Sequence, residues 1–133
     1  MRFKYVVVFF FIVVNVFSQL PEGFVYVKNI IPDLDVELRY FSSNNFVGEP
    51  INGYSANILI LSSDAALALK KVQQELQNNN LSLRVYDGYR PQRAVNHFIL
   101  WAKELNDTIA KKEFYPNVEK KHLFKQEYIA TRS

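Results

Sequence analysis

Apolar residues recur along this chain with two different spacings, and the points where the spacing changes divide it into elements. Phe24 to Ile31 is mostly apolar and closes on Pro32-Asp33, which predicts a strand. Val36, Leu38 and Tyr40 alternate with Glu37 and Arg39, predicting a second, half-buried strand. From Ser42 to Asn57 the chain is rich in Ser, Asn, Gly and Pro and reads as a long loop, a kind of segment that often carries function. Ser62-Ser63-Asp64 is a helix N-cap signal. Behind it Ala65, Leu69, Val72 and Leu76 share one helical face, and Asn78-Asn79-Asn80 ends the run. Leu81, Leu83 and Val85 alternate with Ser82 and Arg84 as a third strand. It stops in Asp87-Gly88-Tyr89-Arg90-Pro91, a sharp turn whose proline suits the first position of a helix. Ala94, Val95, Phe98, Ala102 and Leu105 continue that helix on one face. From Asn106 the pattern weakens, with Tyr115-Pro116 as a breaker and short helical or irregular segments beyond. The order strand, strand, helix, strand, helix predicts an α+β fold, with a mixed or antiparallel sheet and helices packed on it.

The N-terminus follows neither spacing. Arg2 and Lys4 precede a nearly unbroken apolar run from Tyr5 to Phe17, and Val16-Phe17-Ser18 offers a small residue for cleavage before Gln19. This predicts a signal peptide over residues 1–18, export to the periplasm or beyond, and a functional part over residues 19–133. The alternative is an uncleaved membrane anchor. Thirteen positions, Asn15 among them, fall short of a stable span, which takes roughly 20 apolar residues.

Composition narrows the function classes. A chain of 133 residues has room for one domain, and 49% hydrophobic with 22% charged residues is ordinary globular usage. The formal charge of +3 falls to +1 without residues 1–18, because Arg2 and Lys4 leave and no acid does. A value so near zero, with no basic stripe, argues against a nucleic-acid binder. There are no cysteines, so disulfides, thiolate catalysis, Cys-ligated zinc and a lipoprotein anchor are excluded. Nothing in the pattern specifies a subunit number.

Candidate chemistry concentrates in the turn after the third strand. Arg90 would stand at a sheet rim, with a permanent charge and a fork of donors suited to a carboxylate or an oxyanion, and Asp87 could orient it. Spacing alone also describes a structural Asp–Arg lock on a surface turn, and favours that reading. His97 lies mid-helix without an i+3 or i+4 metal-binding partner, and reads as a packed or surface histidine. His122, with Glu119 at i−3, reads as a solvated face, as do Lys111-Lys112 and Lys120-Lys121. No nucleophile elbow or phosphate-cradling glycine loop is present.

The run from Val85 to Val95, which contains Asp87-Gly88-Tyr89-Arg90-Pro91, resembles the D-alanyl-D-alanine dipeptidase family of zinc metallopeptidases. So do Leu38-Arg39-Tyr40, Asn45-Phe46-Val47-Gly48, Pro50-Ile51-Asn52-Gly53-Tyr54, Phe98 to Ala102, Tyr115-Pro116 and Tyr128-Ile129-Ala130, all in the family's order. The resemblance implies hydrolysis of a small D,D-dipeptide in cell-wall metabolism. It implies Arg90 as the stabiliser of the tetrahedral transition state, Tyr40 as a wall of the substrate pocket and Ser133 near the dipeptide's amino end, with Asp87 supporting Arg90 as the turn itself suggests. It also implies a zinc cofactor whose ligands, a His, an Asp and a second His, follow the residue matched by Ser133, as does the general base, a Glu. None of these is present, so the resemblance predicts the N-terminal part of a longer domain, inactive alone and with exposed apolar surface. A non-catalytic module that binds cell-wall peptides is the competing expectation.

Overall fold

A computed structural model describes residues 20–126, 128 and 129. The predicted signal peptide and Ser133 lie outside the described residues. The elements run β1 (Phe24–Tyr26), α1 (Val27–Ile30), β2 (Asp35–Val36), a 3-10 turn (Arg39–Phe41), β3 (Ile60–Ser62), α2 (Ser63–Gln77), β4 (Arg84–Val85), α3 (Gln92–Lys103), α4 (Lys111–Phe114) and a second 3-10 turn (Lys120–His122). β1 and β3 pair antiparallel, with Phe24 opposite Ser62 and Tyr26 opposite Ile60. β2 and β4 pair in parallel, Asp35 opposite Arg84 and Val36 opposite Val85. The fold is α+β, as the element order predicts, with helices against two small sheets.

The strands are shorter than the alternation suggests. After Tyr26 the chain winds into α1, because Val27 and Ile31, four positions apart, both sink into one apolar cluster with Leu38, Leu59 and Ala66. The Val27 N–H donates to the Leu59 carbonyl at 3.0 Å, which closes that bend. The second expected strand ends at Val36, although its ladder continues loosely as Glu37 N–H donates to Val85 O at 3.0 Å. Leu38 stays with the first cluster, while the following 3-10 turn carries Tyr40 across to a second one. The third strand is reduced to two residues because Gln73 intervenes. Its buried amide donates to Ser82 Oγ at 2.9 Å and accepts from Leu83 N–H at 2.9 Å.

α2 begins where expected: Ser62 Oγ accepts from Ala65 N–H at 3.3 Å. Its inward face is rotated by one residue, burying Ala66 and Gln73 and leaving Val72 exposed. Pro91 caps α3 from an extended conformation instead of occupying its first helical position. α3 buries Ala94, Val95, Phe98 and Ala102 as expected and adds Trp101, while Leu105 lies beyond its end and is exposed. Ala94, Phe98, Trp101 and Ala102 join Val47, Ile51, Tyr115 and Leu123 in the second cluster.

Lys112 and Lys121 are exposed as expected, but Lys111 and Lys120 depart from the expectation of solvated faces. Lys120 is buried, its Nζ 4.0 Å from the centre of the Trp101 ring and donating to the Asp107 carbonyl. Lys111 Nζ donates to the carbonyls of Tyr115, Pro116 and Val118 at 3.5, 3.4 and 2.5 Å. Both amines close irregular backbone that lacks secondary-structure partners of its own. Among the described residues no helix is long and apolar enough to cross a membrane.

Candidate active site

The site is built where the β4 turn, the loop from Ser42 to Asn57 and the start of α3 meet. That loop is ordered by Asn45, which is buried. Its Nδ2 donates to the carbonyls of Arg39, Ser42 and Glu49 at 3.3, 2.6 and 2.8 Å, and its Oδ1 accepts from Val47 N–H at 2.9 Å. One side chain therefore holds the backbone polar groups of a segment with no ladder. Farther along, Ile51 N–H donates to Tyr40 O at 2.8 Å and Asn52 N–H donates to His97 Nδ1 at 3.0 Å. His97 is accordingly a packed histidine, with Glu49 at 3.3 Å from its other nitrogen.

At the turn, Arg90 Nη2 donates to Asp87 Oδ2 at 2.7 Å. Tyr54 Oη donates to the other oxygen, Oδ1, at 2.8 Å. The guanidinium carbon of Arg90 stands 5.0 Å from the Tyr40 ring centre and 5.2 Å from that of Phe98. The Tyr40 ring itself packs on Phe98 at 5.0 Å and on Tyr54 at 5.5 Å. Aromatic faces attract a cation, so Arg90 is fixed by two rings and one carboxylate while its side chain keeps 41% exposure.

Electrostatics follow from that packing. Burial works against the Arg90 charge, but the Asp87 hydrogen bond and its neighbours outweigh it, and the pKa is raised. Burial first, and then the adjacent Asp87 carboxylate, push the Tyr54 phenol well above its usual range. Tyr40 is raised by burial, with Arg90 pulling the other way. At neutral pH the site therefore presents one fixed cation beside two neutral phenols. A cavity of about 240 Å³ opens beside it, lined in part by Tyr40, Phe46, Tyr86 and Asp87.

Three of the four residues singled out in the sequence, Tyr40, Asp87 and Arg90, are thus brought together. Tyr54 and Phe98 join them, unassigned by sequence reasoning. The signal was present, since both lie in runs that carry the family resemblance, but Tyr54 meets Asp87 across 33 positions of chain, and Phe98 reads from its spacing as helix core. Among the described residues no group of three His, Cys, Asp or Glu side chains could hold a metal ion. Those residues do not fit a zinc site.

A charged, half-exposed arginine flanked by aromatic rings suits an anion or an oxygen that becomes one, and its neighbours Tyr40 and Asp87 line the small cavity. Comparison with known proteins makes the class specific. The model of the D-ala-D-ala dipeptidase family matches residues 21–132, and the chain belongs to that family. It is 32% identical over 114 residues to the D-alanyl-D-alanine dipeptidase of Enterococcus faecalis, covering 86% of this chain and 56% of that protein. The Streptomyces coelicolor D-alanyl-D-alanine dipeptidase is 33% identical over 114 residues, with the same coverage of 86% and 56%. The Escherichia coli protein of that name is 40% identical over 72 residues, 54% of this chain and 35% of the relative. The chain spans about half the length of the curated relatives it matches.

Proposed function

We propose that this chain supplies the Arg90 wall of an enzyme that hydrolyses D-alanyl-D-alanine. The observation that carries the reading is Arg90, held charged and half-exposed by Asp87, Tyr40 and Phe98 within a chain of this family. When water adds to a peptide carbonyl, negative charge develops on its oxygen. A donor already fixed at that point stabilises the transition state more than the ground state. The neighbouring cavity of about 240 Å³ falls below the roughly 300–1,000 Å³ of sites for drug-sized ligands, which suits a dipeptide better than a polymer.

Zinc dependence, a role in cell-wall metabolism, and export by the N-terminal segment complete the proposal. When bound, zinc would polarise the scissile carbonyl and supply an activated water. Because the described residues do not fit it, its ligands would have to come from elsewhere, and this chain alone would not catalyse the reaction. Equilibrium dialysis of the 133-residue chain against zinc is expected to show no tight one-to-one binding, and such binding would contradict that part. In the full-length protein, Arg90→Ala is expected to lower kcat by about 10²–10³ while the thermal midpoint barely moves. Wild-type protein that binds the dipeptide without releasing alanine would support the binding-module reading instead.

A further inference from the structure

We propose that Tyr54 is the positioning residue of this site: its hydroxyl takes one oxygen of Asp87 and thereby commits the other to Arg90. The proposal rests on the dipeptidase reading for the reaction, though not for the geometry. A carboxylate partnered by one guanidinium can rotate and exchange its two oxygens, or swing toward water. Here the two oxygens are divided, Oδ1 accepting from Tyr54 at 2.8 Å and Oδ2 from Arg90 at 2.7 Å. Asp87 can then no longer turn without losing a hydrogen bond, and Arg90 inherits that constraint. Tyr54 reaches the site through its hydrogen bond to Asp87 and its ring contact with Tyr40, so its role is to position.

The loop is fastened so that the hydroxyl arrives at this point. Gly53, with φ at +108°, brings the backbone against the start of α3; a Cβ there would lie 2.7 Å from Pro91 Cγ and 2.9 Å from Arg93 Cγ. Asn52 is tied to His97 on α3, and Ile51 to the Tyr40 carbonyl. Tyr54 therefore follows two anchors, one to the backbone of Tyr40 and one to His97, the neighbour of Phe98 on α3. Space-filling does not require its hydroxyl, since Phe46 and Phe98 fill the same cluster without one.

The test is nitrogen-15 NMR of the Arg90 guanidinium in the full-length protein, unsubstituted and as Tyr54→Phe, together with dipeptide hydrolysis. In folded Tyr54→Phe, rotation and proton exchange of the Arg90 guanidinium should accelerate by about tenfold or more, the scale of one lost hydrogen bond to a charged group. In a wild type that hydrolyses the dipeptide, kcat should fall about ten- to a hundredfold, with KM within about twofold. Asp87→Asn should free Arg90 similarly, and the double variant should add little. Unchanged Arg90 motion in folded Tyr54→Phe overturns the proposal, whatever the activity does. A wild type without hydrolysis defeats the dipeptidase reading and leaves the NMR result to decide the positioning role. In the unsubstituted protein, the Tyr54 hydroxyl proton should be protected from exchange. Free exchange there overturns the proposal even if the variants do not fold.

Discussion

Arg90 is flanked by Tyr40 and Phe98 in a place where burial works against its charge, and Asp87 reverses that balance. The raised pKa values of Tyr54 and Tyr40 are the counterpart, since a half-buried phenolate beside Asp87 would be a second anion in the same site. They set an alkaline limit. Above the unfolded phenol pKa, about 10, the unfolded chain loses protons that the folded one retains, so stability falls as pH rises further. Below that value the contribution is fully present. Urea melts at pH 8 and near pH 11 should show a lower midpoint at the higher pH, and Tyr54→Phe should shrink the difference. An equal drop in the variant would remove Tyr54 as a cause. Arg90 and Asp87 were legible as a pair because three positions on a turn bring them together. Tyr54 was not, because its carboxylate partner lies thirty-three positions away.

At the scale of elements, composition revealed the loop from Ser42 to Asn57 but not its order. Asn45 supplies that order, with five polar contacts from one buried side chain. Asn45→Ala would strand the Ser42 and Glu49 carbonyls and the Val47 N–H, whereas the Arg39 carbonyl keeps Ser42 and the Gly48 N–H keeps the Asn45 carbonyl. A loss of about 2–4 kcal/mol is expected, on the scale of one to three per unsatisfied buried group with partial rescue by water. Chemical denaturation measures it, and a loss under about 0.5 kcal/mol would mean the loop is held by other means. The helices α2 and α3 were legible because their spacing and N-terminal signals agree. The strands were not, since two or three residues give alternation too little length to separate from a helical turn. Val27 and Ile31 satisfy either period, and the Leu59 carbonyl selects the turn.

Across the whole molecule the described residues bury two apolar clusters instead of one. The first lies under α2 and the small sheets, the second around α3. The chain from Leu38 to Tyr40 joins them, and the site sits on the second. Lys120 fastens the irregular segment after α3 onto it, covering the face of Trp101. Lys120→Ala is expected to cost about 2–4 kcal/mol, because both the packed aliphatic stem and the cation over the ring are lost. Trp101 is the only tryptophan, so its fluorescence should shift in the variant; an unchanged spectrum and midpoint would place Lys120 in solvent. Ile109, at 82% exposure, and Leu100 show that apolar surface remains uncovered among the described residues. The sequence by itself determined the two main helices, the α+β order, the family, and the turn that carries Asp87 and Arg90. The helices and the turn are written in residues close together in the chain, and the family and the α+β order in several such local runs taken in sequence. Only the tertiary structure decided how short the strands are, which face of α2 turns inward, that Lys120 is buried, and that Tyr54 completes the surroundings of Asp87 and Arg90. Those outcomes depend on contacts between distant segments, where burial and hydrogen-bond partners override local preference.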